Sequence, residues 1–431
     1  MATARDRLVI SRLVHRFTFG PKPGQFQRLL RGGVAHAPTA LLRSPVHDPG
    51  LRGLREPSLS DLGPFPAAGS PTRAQFVRSL NQQADDLVLW WLDRMVLSDY
   101  PITERMTWFW HGHWATAIAK VRYPLAMKIQ NETMRTYGLG NFADLSRAMV
   151  VDGALVYWLD GQLNVRSAPN ENLGREFMEL FTLGVGNYSE DDVKAAARGF
   201  TGYQVVRSSG TVSFQPARHD FSEITLLKTT SQFTAPVLSD YVVSLDANAR
   251  FIAERLWYRF VSSISPAPAS LATSFASRQV APLVHAVATH PGLGDPANAL
   301  VKSPVEWFVA VCRALSITPS KLPVSLGLIN YLYQLGQAPF DPPNVGGWPA
   351  DEAWLTTASA QARLAFAQNL VRHANLGPVH HAKGDRVHAM ADWLGVATWS
   401  VRTTKALRAA SSDAARMTVV AICAPEYVVS V

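Results

Sequence analysis

Cysteine is almost missing from this chain: there are two in 431 residues. Cys312 sits in the apolar run VEWFVAVCRALSI, and Cys423 has a similar setting near the end. Two residues so placed build neither a disulfide framework nor a cysteine zinc site. Each reads as a small buried hydrophobe. Long hydrophobic runs are missing too. No stretch of about 18 apolar residues occurs, so no transmembrane helix is expected. The opening MATARDRLVISRLVHRF has scattered charges and no apolar core of signal-peptide length. The reading is a soluble, cytoplasmic chain with no membrane partner.

Charge is sparse, at 17% of residues, and the net +8 is spread without a dense Lys/Arg block. That pattern argues against a nucleic-acid partner, while leaving room for an anionic substrate. Several chemical signatures are also absent: a serine nucleophile elbow, a Walker-type loop, a dinucleotide glycine fingerprint and His-Glu-x-x-His. Serine hydrolases, P-loop NTPases, Rossmann enzymes and the commonest zinc proteases drop out. No nucleotide cofactor is expected.

What is present is an apolar fraction of 47%, spaced mostly at helical intervals. Helices are predicted within 8–44, from Thr72 to about Leu97, over TERMTWFWHGHWATAI behind a Thr103 cap, and over 123–137, 142–151 and 153–160. Residues 45–72, dense in Pro, Gly and Ser, read as a long irregular segment over the surface. Ser189 with Asp192 at the third helical position forms a capping box for SEDDVKAAARGFTG. Two short β-branched runs around Ser-Ser-Gly predict one small hairpin near 201–215. Helices return from Ala235. The whole reads as a mainly α, multi-helix globular array, a single large helical domain over 1–431.

The densest chemistry lies in APNENLGREFMELFTLGVGNYSEDDVKAAARGFTG, from Ala168 to Gly202. Leu173, Phe177, Leu180 and Phe181 form one apolar stripe, which predicts a short buried helix over roughly 171–183 ending at Gly184. On that helix Asn172, Glu176 and Glu179 fall within a sector of ~60° beside the stripe. Two carboxylates one turn apart and turned inward need a cation, a proton or an arginine between them. Arg175, Arg198 and Arg363 are the arginines at hand, and a buried structural network is the plain alternative to catalysis.

Four other groups bear on the same question. His111-Gly112-His113 puts both imidazoles on one side if Gly112 breaks the helix, as a metal-binding pair requires; in a continuous helix they diverge. Trp110 is among the aromatic residues flanking the pair. His219-Asp220 follows the hairpin and completes an N/O ligand set suited to zinc, iron or manganese. The loop Asp341-Pro342-Pro343-Asn344-Val345-Gly346-Gly347-Trp348-Pro349 offers close backbone approach and a stacking face at Trp348, or a rigid plug for the helices. Arg363 follows it and can reach the glutamates.

The phrase PNENLGREFMELFTLGVGNYSEDDVKAAARGFTGY resembles the signature of the bacterial domain-of-unknown-function family numbered 1800. LVHRFTFGP, FWHGHWAT, RHDF and FDPPNVGGWPADEAWLTTASAQARL carry the same resemblance, in the family's order, from residue 13 to about 364. That family has no agreed activity, so the resemblance implies no reaction. From the residues, the expectation is a metal-dependent enzyme, hydrolytic or oxidative, with a central polar cavity. His111, His113 and His219 hold a divalent ion (zinc, iron or manganese), and Glu176, Glu179 and Asp220 act as catalytic groups. Asn172, Trp110, Trp348 and Arg363 line the substrate. A metal-free helical enzyme using Glu176 and Glu179 on an oligosaccharide is the alternative, and a helical binding or assembly module with a buried polar network is a third.

Overall fold

In a computed structural model, which describes residues 2–382 and 384–430, the apolar spacing becomes helix nearly everywhere. Helix accounts for 58% of the chain, and among the described residues the sheets are two antiparallel hairpins. The protein is mainly α. Local signals explain many of the helix starts. Thr3 and Asp6 close a capping box before Ala4–Arg16, and Ser189 and Asp192 close the expected one before Glu190–Gly199. Each box satisfies two otherwise orphaned backbone donors. Pro124 opens Pro124–Tyr137, where its missing N–H costs nothing.

Three local readings change. The helix carrying His111 runs Ile102–His113, starting ahead of Thr103, which caps nothing. The central helix is α-helical only over Asn172–Glu176; Phe177–Thr182 is wound as a π-helix, with Leu183 N–H bonded to the Met178 carbonyl. Beyond the expected hairpin of Tyr203–Val206 with Thr211–Phe214 lies a second, Ile224–Leu226 with Thr229–Ser231. Its turn residues Leu227 and Lys228 both have positive φ, 48° and 72°. Such turns usually carry Asn or Gly, so Leu-Lys gave no signal.

The 45–72 segment is irregular apart from one short turn, Pro49–Leu51. Asp48 pins it by accepting from Ser98 Oγ and from the backbone N–H groups of Asp99 and Tyr100. Leu54, Leu59, Leu62 and Phe65 half-bury beneath it.

The buried apolar residues fall into two clusters. One gathers Ala4–Arg16, the central helix and Asp246–Phe260 around Leu13, Phe177, Phe181 and Leu256. The other gathers Arg73–Leu97, Pro304–Leu315 and the C-terminal helices around Trp91, Trp307 and Met417. Ile102–His113 feeds both, giving Met106, Phe109 and Trp110 to the first and Trp108 to the second. It runs along their seam, and that placement decides where its histidines go.

Candidate functional site

Gly112 does not break its helix, which continues through His113. Side chains two residues apart then point ~200° apart, and the two imidazoles enter different cores. His111, 1% exposed, is enclosed by Trp91, Trp108, Trp348 and Phe340. Its Nε2 accepts the Phe340 N–H at 3.0 Å. His113, 3% exposed, packs among Phe109, Trp110, Phe181 and Phe251.

The two rings are held in opposite tautomers. His113 Nε2 lies 2.9 Å from the Phe181 carbonyl oxygen, in the π-wound turn. A carbonyl only accepts, so Nε2 carries the hydrogen and Nδ1 keeps its lone pair. That Nδ1 is buried and has no partner. Burial, and then the charge of Arg255, push the His113 imidazole down to about 3, so the ring is neutral. Burial alone does the same to His111.

The Pro-rich loop closes over this helix. Gly347 has φ +83°, and a Cβ there would sit 2.3 Å from the Gly112 carbonyl oxygen. Only glycine allows so close an approach. Trp348 follows and stacks on Trp108, centroids 5.1 Å apart and planes 24° apart. The loop is therefore a plug, and the edge of the plug walls a cavity of about 200 Å³. His113, Phe109 and Trp348 face it from one side, and Arg255, Tyr258 and Arg259 from Asp246–Phe260 on the other.

Sequence reasoning missed that arginine pair. In ANARFIAERLWYRFVSS the two look like polar positions of an amphipathic helix. One signal was available: Arg255 and Arg259 are one turn apart, and no acidic residue stands three or four positions from either. A smaller space of about 30 Å³ adjoins through Arg259, Tyr258 and Ala350, and is lined by Arg16, Arg105, Lys302, Glu306 and Asp351. Glu306 is ion-paired to Arg105. Burial would raise the Glu306 carboxyl, but Arg105 and Arg259 outweigh it and hold it at about 2. Burial pushes the Lys302 ammonium down to about 7.

The remaining expected site residues lie elsewhere. Glu176 and Glu179 do not line the cavity. Among the described residues neither is in an ion pair; Glu179 accepts from the Tyr188 hydroxyl, and burial plus the charge of Glu179 raises the Glu176 carboxyl. Arg175, expected as a counter-charge, turns outward to Glu171 and Glu190. His219 Nδ1 bonds to Thr201, with Phe214 and Phe221 against its ring. Asp220 pairs with Arg198 at 2.7 Å; against burial, hydrogen bonds from Arg198 and Ser222 hold its carboxyl at about 2. Asn172 bonds to the Leu159 carbonyl, and its N–H is capped by Asn170. Trp110 is fully buried, its Nε1–H on the Gly138 carbonyl. Arg363 meets the carbonyls of Trp354 and Lys302, and neither glutamate.

Among the described residues no three His, Cys, Asp or Glu side chains gather as a metal-holding group. The side chains nominated for a divalent ion do not converge on one: His111 and His113 enter different cores, His219 sits on Thr201, and Glu179 is bonded to Tyr188. What does converge is Gly112-His113 with Gly346, Trp348 and Pro349, across from two arginines. A neutral imidazole with one free lone pair, two guanidinium forks and aromatic faces can orient a small molecule and exchange a proton with it.

The molecule is thus a mainly α protein with an aromatic-walled, cationic cavity at the seam of two cores. The chain belongs to the family described as a protein of unknown function, DUF1800, whose model matches residues 12–429. No curated protein and no solved structure matches it.

Proposed function

We propose that the protein is an enzyme acting on a small molecule in the cavity between His113 and the Arg255–Arg259 pair, with His113 as the acid–base group. The observation that carries this reading is the His113 ring itself. Its Nε2 is fixed by the Phe181 carbonyl and its Nδ1 is buried without a partner, in a ring that lines a cavity. An unsatisfied buried nitrogen costs about 1–3 kcal/mol, and at the wall of a cavity a ligand or a catalytic role accounts for it. Three separate phrases meet there: Arg16 of LVHRFTFGP borders the adjoining space, while FWHGHWAT and NVGGWP wall the cavity. At about 200 Å³ it is smaller than the ~300–1,000 Å³ of a drug-sized pocket, so the substrate is small. A metal-assisted route would need the sequence-nominated ligands rearranged, and no step here depends on one.

The test is imidazole NMR on protein labelled with 13C-histidine, which has 12 such rings. The His113 signal is assigned by its loss in His113→Gln. Fragments of fewer than about a dozen heavy atoms are titrated in. Hits that move the His113 signal, and lose their effect in the variant, are the expected result. If every hit moves only other histidines, the cavity is not the site.

A further inference from the structure

The buried and half-buried arginines of this protein include two sorts. Arg12, Arg16, Arg278 and Arg313 each hold several backbone carbonyls: Arg313 bonds to Gly20, Met95, Val96 and Ser98, and Arg278 to Val243, Ser244 and Leu245. Arg94 and Arg135 share Glu104. In these the fold neutralises or caps the guanidinium group. Arg255 and Arg259 are the other sort. Among the described residues neither side chain donates a hydrogen bond or forms an ion pair, and Arg255 Nε is buried without a partner. Both line the His113 cavity.

No carboxylate lines the cavity itself. In the adjoining space Glu306 is ion-paired to Arg105 and lies near enough to Arg259 to feel its charge, and Asp351 accepts from the Val301 N–H and the Ser263 hydroxyl. Across both spaces five basic side chains (Arg16, Arg105, Arg255, Arg259 and Lys302) face those two acids. A half-buried guanidinium held beside a like charge is disfavoured until something negative arrives. Two guanidinium forks one helical turn apart on the same cavity wall supply the donors that grip a planar or tetrahedral oxyanion. Trp348, Phe109 and Tyr258 supply apolar faces for the body of such a molecule.

Resting on the reading of this cavity as the active site, we infer that its ligand is a small oxyanion, a carboxylate or phosphate ester with a compact apolar or aromatic body, held by Arg255 and Arg259 together. The same anion reverses the repulsion between Arg255 and the His113 ring. The groups that face His113 are Arg255 with Tyr258 and Arg259 behind it. Ligand binding therefore raises the affinity of His113 Nδ1 for a proton, and proton uptake on binding grows as the pH is lowered.

Benzoate, phenyl phosphate and neutral benzamide are titrated by calorimetry into the full-length protein, in two buffers of different ionisation enthalpy, with 13C-histidine NMR in parallel. The expected result is that one or both anions bind and benzamide does not. Arg255→Gln and Arg259→Gln should each weaken binding roughly tenfold to hundredfold, the loss of one charged hydrogen-bonding partner. His113→Gln should still bind while abolishing the proton uptake. The two anions distinguish a carboxylate site from a phosphate site. Benzamide binding as tightly as benzoate, or arginine variants without effect, overturns the anion inference and leaves the cavity reading intact. Anion binding that leaves the His113 signal unmoved overturns both. No binding of either anion at tens of millimolar overturns the anion inference, and neutral fragments that still move His113 then keep the cavity reading.

Discussion

Gly347→Ala is the sharpest test of how the loop is seated. The substitution brings two penalties that the structure separates. The first is conformational: φ is +83°, and an L-residue in the left-handed region costs about 1–2 kcal/mol. The second is steric. The new Cβ lands 2.3 Å from the Gly112 carbonyl oxygen, whereas Cβ contacts below 3.0 Å essentially never occur, so the loop must back off by about 0.7 Å. Retreat disturbs the stack of Trp348 on Trp108, worth about 0.5–1.5 kcal/mol, and exposes part of a Trp348 ring that is 8% exposed. With the newly exposed Trp348 surface the total comes to about 2–4 kcal/mol. Gly69→Ala is the control. It has nearly the same φ, +82°, and nothing within 4 Å of a Cβ, so it should cost only the conformational part, about 1 kcal/mol. Urea unfolding of the two variants, read from midpoints at constant slope, measures the difference, and the His111 and His113 signals should shift in Gly347→Ala alone. Equal costs for the two variants would show that the loop does not rest on the Gly112 carbonyl.

The site and its surroundings give two further expectations. Arg255→Met should stabilise the ligand-free protein by about 1–2 kcal/mol, because it removes an enclosed, unpaired charge and keeps the apolar stem; a lower urea midpoint would mean that the arginine has a structural partner. Acid should unfold the protein in two stages. His15, His111 and His113 are held neutral by burial. The unfolded chain therefore binds protons that the folded one refuses, so stability falls as pH drops below about 6.5, by up to ~1.4 kcal/mol per unit for each ring. Glu104, held at about 2 despite burial by Arg135 and Arg94, and Glu306 contribute stability that is complete above about 4.5 and lost as pH falls towards 2. A urea midpoint that stays flat from pH 7 to pH 5 would contradict the buried neutral histidines.

Family membership and the mainly α architecture were readable in the chain, as were the Ser189–Asp192 capping box, the 201–215 hairpin and the irregular strap before Thr72. These depend on neighbours in sequence: apolar spacing, a cap three residues from its donor, a turn of small residues. The two segments that wall the cavity were singled out, one as a metal-binding histidine pair and the other as a stacking face or plug. Their partners were not. Whether Gly112 broke its helix was the pivot, and Gly112 alone did not decide it. The unbroken helix sends His111 and His113 into different cores, and the π-turn at Phe177–Thr182 brings the Phe181 carbonyl to His113. Arg255, over a hundred residues further on, and the Gly112–Gly347 contact complete the site. Periodicity states which face of a helix is buried; it carries no information on which other face it meets. Tertiary packing made that choice, setting an imidazole opposite two guanidinium groups and leaving Glu179 with a tyrosine.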